Sequence, residues 1–285
     1  MGTQTPRNDL RLVARSIEED LGFATLADVS SVLADVKDNA YRLIGGHMVT
    51  LHAHRWNLGF EFFRATNDAD LGVVPVLAVQ GDLEPALLKL GYVKTAGARF
   101  RRTVTDVPGA YLSTSTESKQ SHDAIVDFLF PSYTSRPRNP RKHGDLVSIE
   151  IKGLSEALNR PAVVAELTLV RLNKQDVHAR ILLPDEADAL VLKALAWEAR
   201  KAPKDAVDVW RLLEIVSRAP LGPERFANGD ALLARDVVRR DFARENSRGM
   251  LALGTGRSLN DVARVLLHTR VVALMDHVFG SPTRG

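Results

Sequence analysis

The change of pattern at Asp185 constrains this chain more than any other feature. Before it, short apolar runs rich in β-branched residues alternate with segments of helical period. After it, every periodic segment has helical spacing. Strands interleaved with helices, followed by helices alone, imply an α/β (α+β) first part over residues 1–184 and a helical C-terminal domain over 185–285. No internal repeat interrupts this plan.

Within the first part, the spacing of Leu10, Val13, Ile17 and Leu21 predicts helix over residues 8–39. The run YRLI reads as a strand that ends in Gly45-Gly46 and opens an amphipathic helix, HMVTLHAHR. Strand-like segments follow around residues 61–64 and 67–73. DLEPALLKL reads as a helix stopped by Gly91. ARFRRTV and AIVDFLF read as strands separated by the polar turn STSTESKQ, and LVSIEI and VHARILLP as later strands. PSYTSRPRNPRKHGD is a loop by composition.

A hydrophobic content of 45% suffices for a core, and no run of 18 apolar residues is present to span a membrane. The N-terminus lacks the apolar segment of a secretory signal, so a cytoplasmic protein is expected. The absence of cysteine excludes disulfides, thiolate metal sites and a cysteine nucleophile. Charge is uneven: 16 Lys and Arg stand against 11 Asp and Glu from Lys193 onward, and 22 against 24 before it. A basic C-terminal part is compatible with an anionic partner, and equally with a solvated helical surface. Neither a P-loop nor a G-x-S-x-G elbow occurs.

Chemistry concentrates at RATNDADLGV. On a strand, Asp68 and Asp70 project from the same face, and two such anions repel unless a cation sits between them. A hard divalent ion with oxygen ligands, Mg²⁺ (Mn²⁺ possible), resolves that conflict and shares its shell with phosphates. A solvated strand edge or a capped turn is the plainer reading. Asp127, among the apolar residues of AIVDFLF, is costly unless paired or metal-bound, and a neighbouring strand would bring it to the other two as a third metal ligand. Gly45 and Gly46 would let backbone N–H groups approach a phosphate, although an isolated Gly-Gly is read first as a tight turn. His47, His52 and His54 have no zinc-site spacing and read as ordinary, partly exposed histidines.

In the second part, Lys193 and Arg200 lie two turns apart on one helix face, and Pro203 opens a further helix with Asp205 in its first turn and Asp208 one turn on. Either the aspartates balance the helix dipole beside solvated lysines, or Lys193 neutralises phosphate charge while Asp205 orients the lysine or an acceptor hydroxyl.

Taken in order, LIGGHMVTLH, RATNDADLGV, LGY with RFRR, AIVDFLF, KALAWEAR and PKDAVD resemble the AbiEii/AbiGii-type toxins, a nucleotidyltransferase group of the DNA polymerase β superfamily that includes the MenT toxins. The resemblance covers roughly residues 38–215. Its strongest parts are the D-x-D context, the K-x-x-A-x-x-x-R of Lys193, Ala196 and Arg200, and the K-D-x-x-D of Lys204, Asp205 and Asp208. It implies a polymerase β-like domain with a mixed sheet, and a toxin held in check by a separately encoded antitoxin. It further implies Mg²⁺-dependent transfer of NMP from an NTP to an RNA acceptor, the tRNA 3′ end, which blocks translation.

By matching position, Asp68 and Asp70 would bind metal, Asp127 would be a third acid, Lys193 would contact the triphosphate, and Asp205 would be a catalytic or acceptor-orienting carboxylate. Gly45, Gly46 and Arg200 would complete the nucleotide site. The 21 residues between Gly46 and Asp68 exceed the family's usual spacing, and His47 stands where relatives have Ser or Thr.

Arg99, Arg101 and Arg102, and the loop cations Arg136, Arg138, Arg141 and Lys142, are candidate RNA contacts, or else solvated surface. The alternatives are nucleotidyl transfer to a small molecule or a protein hydroxyl, and a non-catalytic partner-binding protein of the same fold.

Overall fold

The first apolar segment corrects the sequence reading. Residues Asp9–Val13 form a strand, β1, in which Leu10 and Leu12 are buried and Asp9, Arg11 and Val13 exposed. Leu10, Val13 and Ile17 also fit a helical period, because a five-residue segment is too short to separate the two patterns. What decides is a long-range partner, the parallel strand Val163–Val170. Helix α1 (Ile17–Val32) begins only after Ser16, whose Oγ accepts the Glu19 N–H at 3.2 Å, while the Glu19 carboxylate accepts the Arg15 N–H at 2.7 Å.

The computed structural model describes residues 5–59, 65–79, 83–105, 123–134, 140–143, 146–255 and 260–281. The chain divides into two units. The first comprises Arg7–Arg55 and Gly59–Pro184. After β1 and α1 it continues with β2 (Tyr41–Ile44), α2 (Gly45–Arg55), β3 (Asp68–Val73), α3 (Pro75–Val79), α4 (Leu83–Lys89), β4 (Val93–Ala96) and β5 (Arg99–Thr103). There follow β6 (Asp123–Pro131), β7 (Arg141–His143), β8 (Leu146–Ser148), β9 (Glu150–Ile151), α5 (Leu154–Asn159), β10 (Val163–Val170) and β11 (Asp176–Leu183). The strand-like segment 61–64 and the turn STSTESKQ lie outside the described residues.

The main sheet has the order β2-β3-β6-β5-β4, with β9 pairing β6, and it is mixed: β3 runs parallel to β6, and β2 and β5 antiparallel to their neighbours. A second sheet has the order β1-β10-β11. Alternation along each strand gives the main sheet two unlike faces. One carries Leu43, Leu71, Val126, Phe128 and Phe100, all buried, and α1 and α2 close it. The other carries Asp68, Asp70, Asp127 and Arg99, and its Gly72 end is met by Leu154 of α5. Each fully buried Leu or Phe on the covered face contributes about 1.5–3 kcal/mol. The polar face is thereby held on a rigid support.

The second unit runs from Asp185 onward and includes Trp56–Leu58. It contains α6 (Glu186–Arg200), α7 (Pro203–Val216), a 3₁₀ turn (Pro223–Phe226), α8 (Gly229–Phe242), α9 (Arg248–Gly254) and α10 (Asp261–Phe279). Asp185 caps α6 by accepting the Asp188 N–H at 2.8 Å, Lys201 ends it in the left-handed region at φ 52°, and Pro203 opens α7. Trp197 is fully buried beside Phe242, with ring centroids 5.8 Å apart, and its indole N–H reaches Asp241 at 2.8 Å. No described helix is long and apolar enough to cross a membrane.

Candidate functional site: an acid row on the main sheet and a buried ion-pair network

Four strands set one row of residues side by side. Ile44 of β2 lies opposite Asp70 of β3, Asp70 opposite Asp127 of β6, and Asp127 opposite Arg99 of β5. Asp68, two residues before Asp70, shares its face. The three acids singled out in the sequence therefore stand on one polar face. Asp127, however, is already occupied: Arg99 Nε donates to Oδ1 at 2.8 Å and Nη2 to Oδ2 at 2.7 Å, a bidentate pair. The Thr66 hydroxyl donates to Asp68 Oδ1.

Gly45 follows Ile44 and turns the chain from β2 into α2 with φ +71°. A Cβ at this position would lie 1.9 Å from Asp70 Oδ2, so only glycine allows the carboxylate to rest on the turn. The N–H groups of the first turn of α2 have no partner within the helix, and that helix end favours anions. Gly46, next in the turn, is buried.

The nearby histidines differ from expectation. His47 and His52 are buried. His52 Nε2 lies 3.0 Å from the Pro184 carbonyl and Nδ1 3.0 Å from Arg55 Nη1, which makes Nε2 the donor and Nδ1 the acceptor of a neutral ring. Burial first, and then the charge of Arg15, push the His54 pKa down to about 4.

Among the described residues, no group of three or more His, Cys, Asp and Glu side chains is gathered so as to hold a metal ion. The oxygen-only donors of Asp68 and Asp70 on one face nevertheless suit a hard divalent ion by chemistry. Asp127 Oδ1 and Oδ2 both face Arg99 instead.

The basic residues of β5 point to both sides of the sheet. Arg101 shares the polar face with Arg99 and pairs with Asp123 at 3.3 Å. Arg102 points the other way, where Asp28 of α1 takes its Nε at 3.2 Å and the Tyr92 ring lies 5.4 Å away. In β7, Arg141 pairs with Glu150 at 2.7 Å and Lys142 is exposed. Arg136 and Arg138 lie outside the described residues.

In the helical unit, the sequence motifs of α6 and α7 form one buried network. Lys193 Nζ lies 2.8 Å from Asp208 and 3.8 Å from Asp205, and all three side chains are almost fully buried. Arg200 grips Asp205 through two bonds of 3.1 and 2.9 Å, and Arg211 reaches Asp208 at 3.4 Å. Lys193 is therefore not a solvated lysine: its ammonium pairs with Asp208, and Asp205, bonded to Arg200, lies farther off at 3.8 Å. Asp208, Arg211 and Asp123 were not among the expected site residues. The K-D-x-x-D spacing, which puts Asp208 one turn beyond Asp205, was the available signal for the first of these. No protein-family model matches this sequence, and no curated protein matches it.

Proposed function

We propose that this chain is a nucleotidyltransferase that moves NMP from an NTP to an RNA acceptor, the tRNA 3′ end, and that it acts as the toxin of a toxin–antitoxin pair. The observation that carries the reading is the contact of the Gly45 turn with Asp70. A helix N-terminus able to receive phosphate and a D-x-D pair suited to a divalent cation meet at one place.

In this reading Asp68 and Asp70 would hold Mg²⁺ or Mn²⁺, which supplies Lewis-acid stabilisation of phosphate charge and of the attacking oxygen. The chain's own groups bind and orient. The first turn of α2 receives phosphate oxygens through backbone N–H groups. Thr66 orients the Asp68 carboxylate through its hydroxyl. In the helical unit, Asp208 holds the Lys193 ammonium at 2.8 Å with Asp205 3.8 Å away, and that ammonium would neutralise phosphate charge. The acceptor hydroxyl oxygen attacks the α-phosphorus and gives up its proton to water, the bond from the α-phosphorus to the oxygen bridging to the β-phosphorus breaks, and pyrophosphate leaves with that electron pair.

The deciding experiment is label transfer from each α-labelled NTP to total tRNA, comparing the unaltered protein with Asp70→Ala. Label on tRNA that is lost in the variant is the expected result. No label on tRNA from any NTP overturns the RNA acceptor. The Arg99–Asp127 pair favours a second reading, a non-catalytic partner-binding protein, since one acid of the row is already neutralised from within. An NTP-dependent rise in melting temperature that Asp70→Ala removes would exclude that second reading.

A further inference from the structure

The acid row contains a cation of its own. We infer that Asp127 is a positioning residue rather than a metal ligand: it fixes Arg99 as a built-in counter-cation of Asp68 and Asp70, so that a divalent ion enters that pair against the charge of Arg99. The inference rests on the reading of Asp68 and Asp70 as a cation-binding pair.

Three observations carry it. First, register sets Asp70, Asp127 and Arg99 in consecutive positions across β3, β6 and β5, which places the backbones of Asp70 and Arg99 only about 10 Å apart. An extended arginine covers most of that span. Second, the Arg99–Asp127 contact is a fork on a fork, with both carboxylate oxygens engaged. Each Asp127 oxygen thus spends a lone pair on Arg99, and a metal ion at either oxygen would be held against the guanidinium charge. Third, Asp127 is only 16% exposed and stays in place, while the Arg99 side chain is 53% exposed and can be exchanged without opening the core. In support, the hydrogen bonds and charge of Asp127 first, and then the charges of Asp68 and Asp70, hold the Arg99 guanidinium above the ordinary arginine pKa. The arginine thus feels all three acids.

Charge makes the consequence definite. Removing the Arg99 cation from this row makes it more negative by one charge and should strengthen its attraction for a divalent ion. An Arg99 whose charge acted on Asp127 alone would have no such effect, because exposed pairs act over short range and are screened.

The test is a Mn²⁺ titration of the whole chain without nucleotide, followed by isothermal calorimetry, for the unaltered protein and for Arg99→Gln, Arg99→Lys and Asp70→Asn. Expected are Mn²⁺ binding that Asp70→Asn abolishes, affinity tightened by about tenfold in Arg99→Gln, equivalent to about 1.4 kcal/mol, and affinity restored toward that of the unaltered protein in Arg99→Lys, which keeps the charge. Arg99 is half exposed, so its variants should fold, and thermal melting checks this. Binding that is lost in Asp70→Asn but unchanged or weaker in Arg99→Gln overturns the inference and leaves the cation-binding reading standing. No Mn²⁺ bound by either the unaltered protein or Arg99→Gln overturns that reading itself, and the inference with it.

Discussion

Asp70 rests against Gly45 so closely that a methyl group on the glycine would come within 1.9 Å of the Asp70 Oδ2. The same glycine holds φ at +71°, where a side chain is strained. Gly45→Ala should therefore cost about 1–3 kcal/mol from backbone strain alone, and it should also displace the carboxylate. Urea unfolding measures the first effect, and Mn²⁺ titration of the folded variant the second. A variant as stable as the unaltered protein would show that the turn relaxes freely.

The Lys193–Asp208 pair is almost fully buried. Asp208→Ala removes the nearest partner of the ammonium, and breaking a buried pair from one side costs about 3–5 kcal/mol. Removing the exposed Arg11–Asp176 pair by Arg11→Ala should cost no more than about 1 kcal/mol. Chemical denaturation of the two variants side by side gives the comparison, and equal losses would contradict the buried network.

Asp20 of α1 is fully buried and accepts from Arg171 twice at 2.8 Å and from the Leu172 N–H at 2.7 Å. It ties α1 to the residues that follow β10. Asp20→Ala removes both of these bonds from a buried guanidinium, with an expected loss of about 3–5 kcal/mol. The melting temperature should fall accordingly, and a shift of only a degree or two would refute the assignment.

His54 makes stability depend on pH. Its folded pKa is lowered to about 4 by burial and by Arg15, whereas an unfolded histidine titrates near 6.5. The unfolded chain thus takes up the proton first. The contribution of His54 is complete above about pH 6.5 and is lost as the pH falls toward 4, by up to about 3 kcal/mol. Urea midpoints measured across that range should fall less steeply in His54→Gln, and parallel curves would exclude the effect.

Local pattern was legible where a single element carried it. Asp68 and Asp70 share a face because any strand alternates its side chains, and Gly45 turns into α2 because a glycine pair follows an apolar run. Pro203 opening α7 and the purely helical stretch after Asp185 are of the same kind. Five residues of β1 misled, since Leu10 and Val13 satisfy the helical period while Leu10 and Leu12 satisfy the strand period, and only pairing with β10 separates the two. His47 and His52 look like surface residues by type, but their helix face turns inward.

By itself, then, the sequence determined the mixed α/β character of the chain, the positions of its breaks and the local facing of its acids, because these follow from neighbours within a turn or a pleat. Only the tertiary structure decided which charge meets which. Asp127 lies 28 residues from the Arg99 that neutralises it, and Asp208 is one helix away from Lys193. Such pairs form because strand register and helix packing bring distant groups together, and where the pair is buried, as at Lys193 and Asp208, an unpartnered charge is costly. That cost acts between elements, and nothing in the spacing along the chain records it.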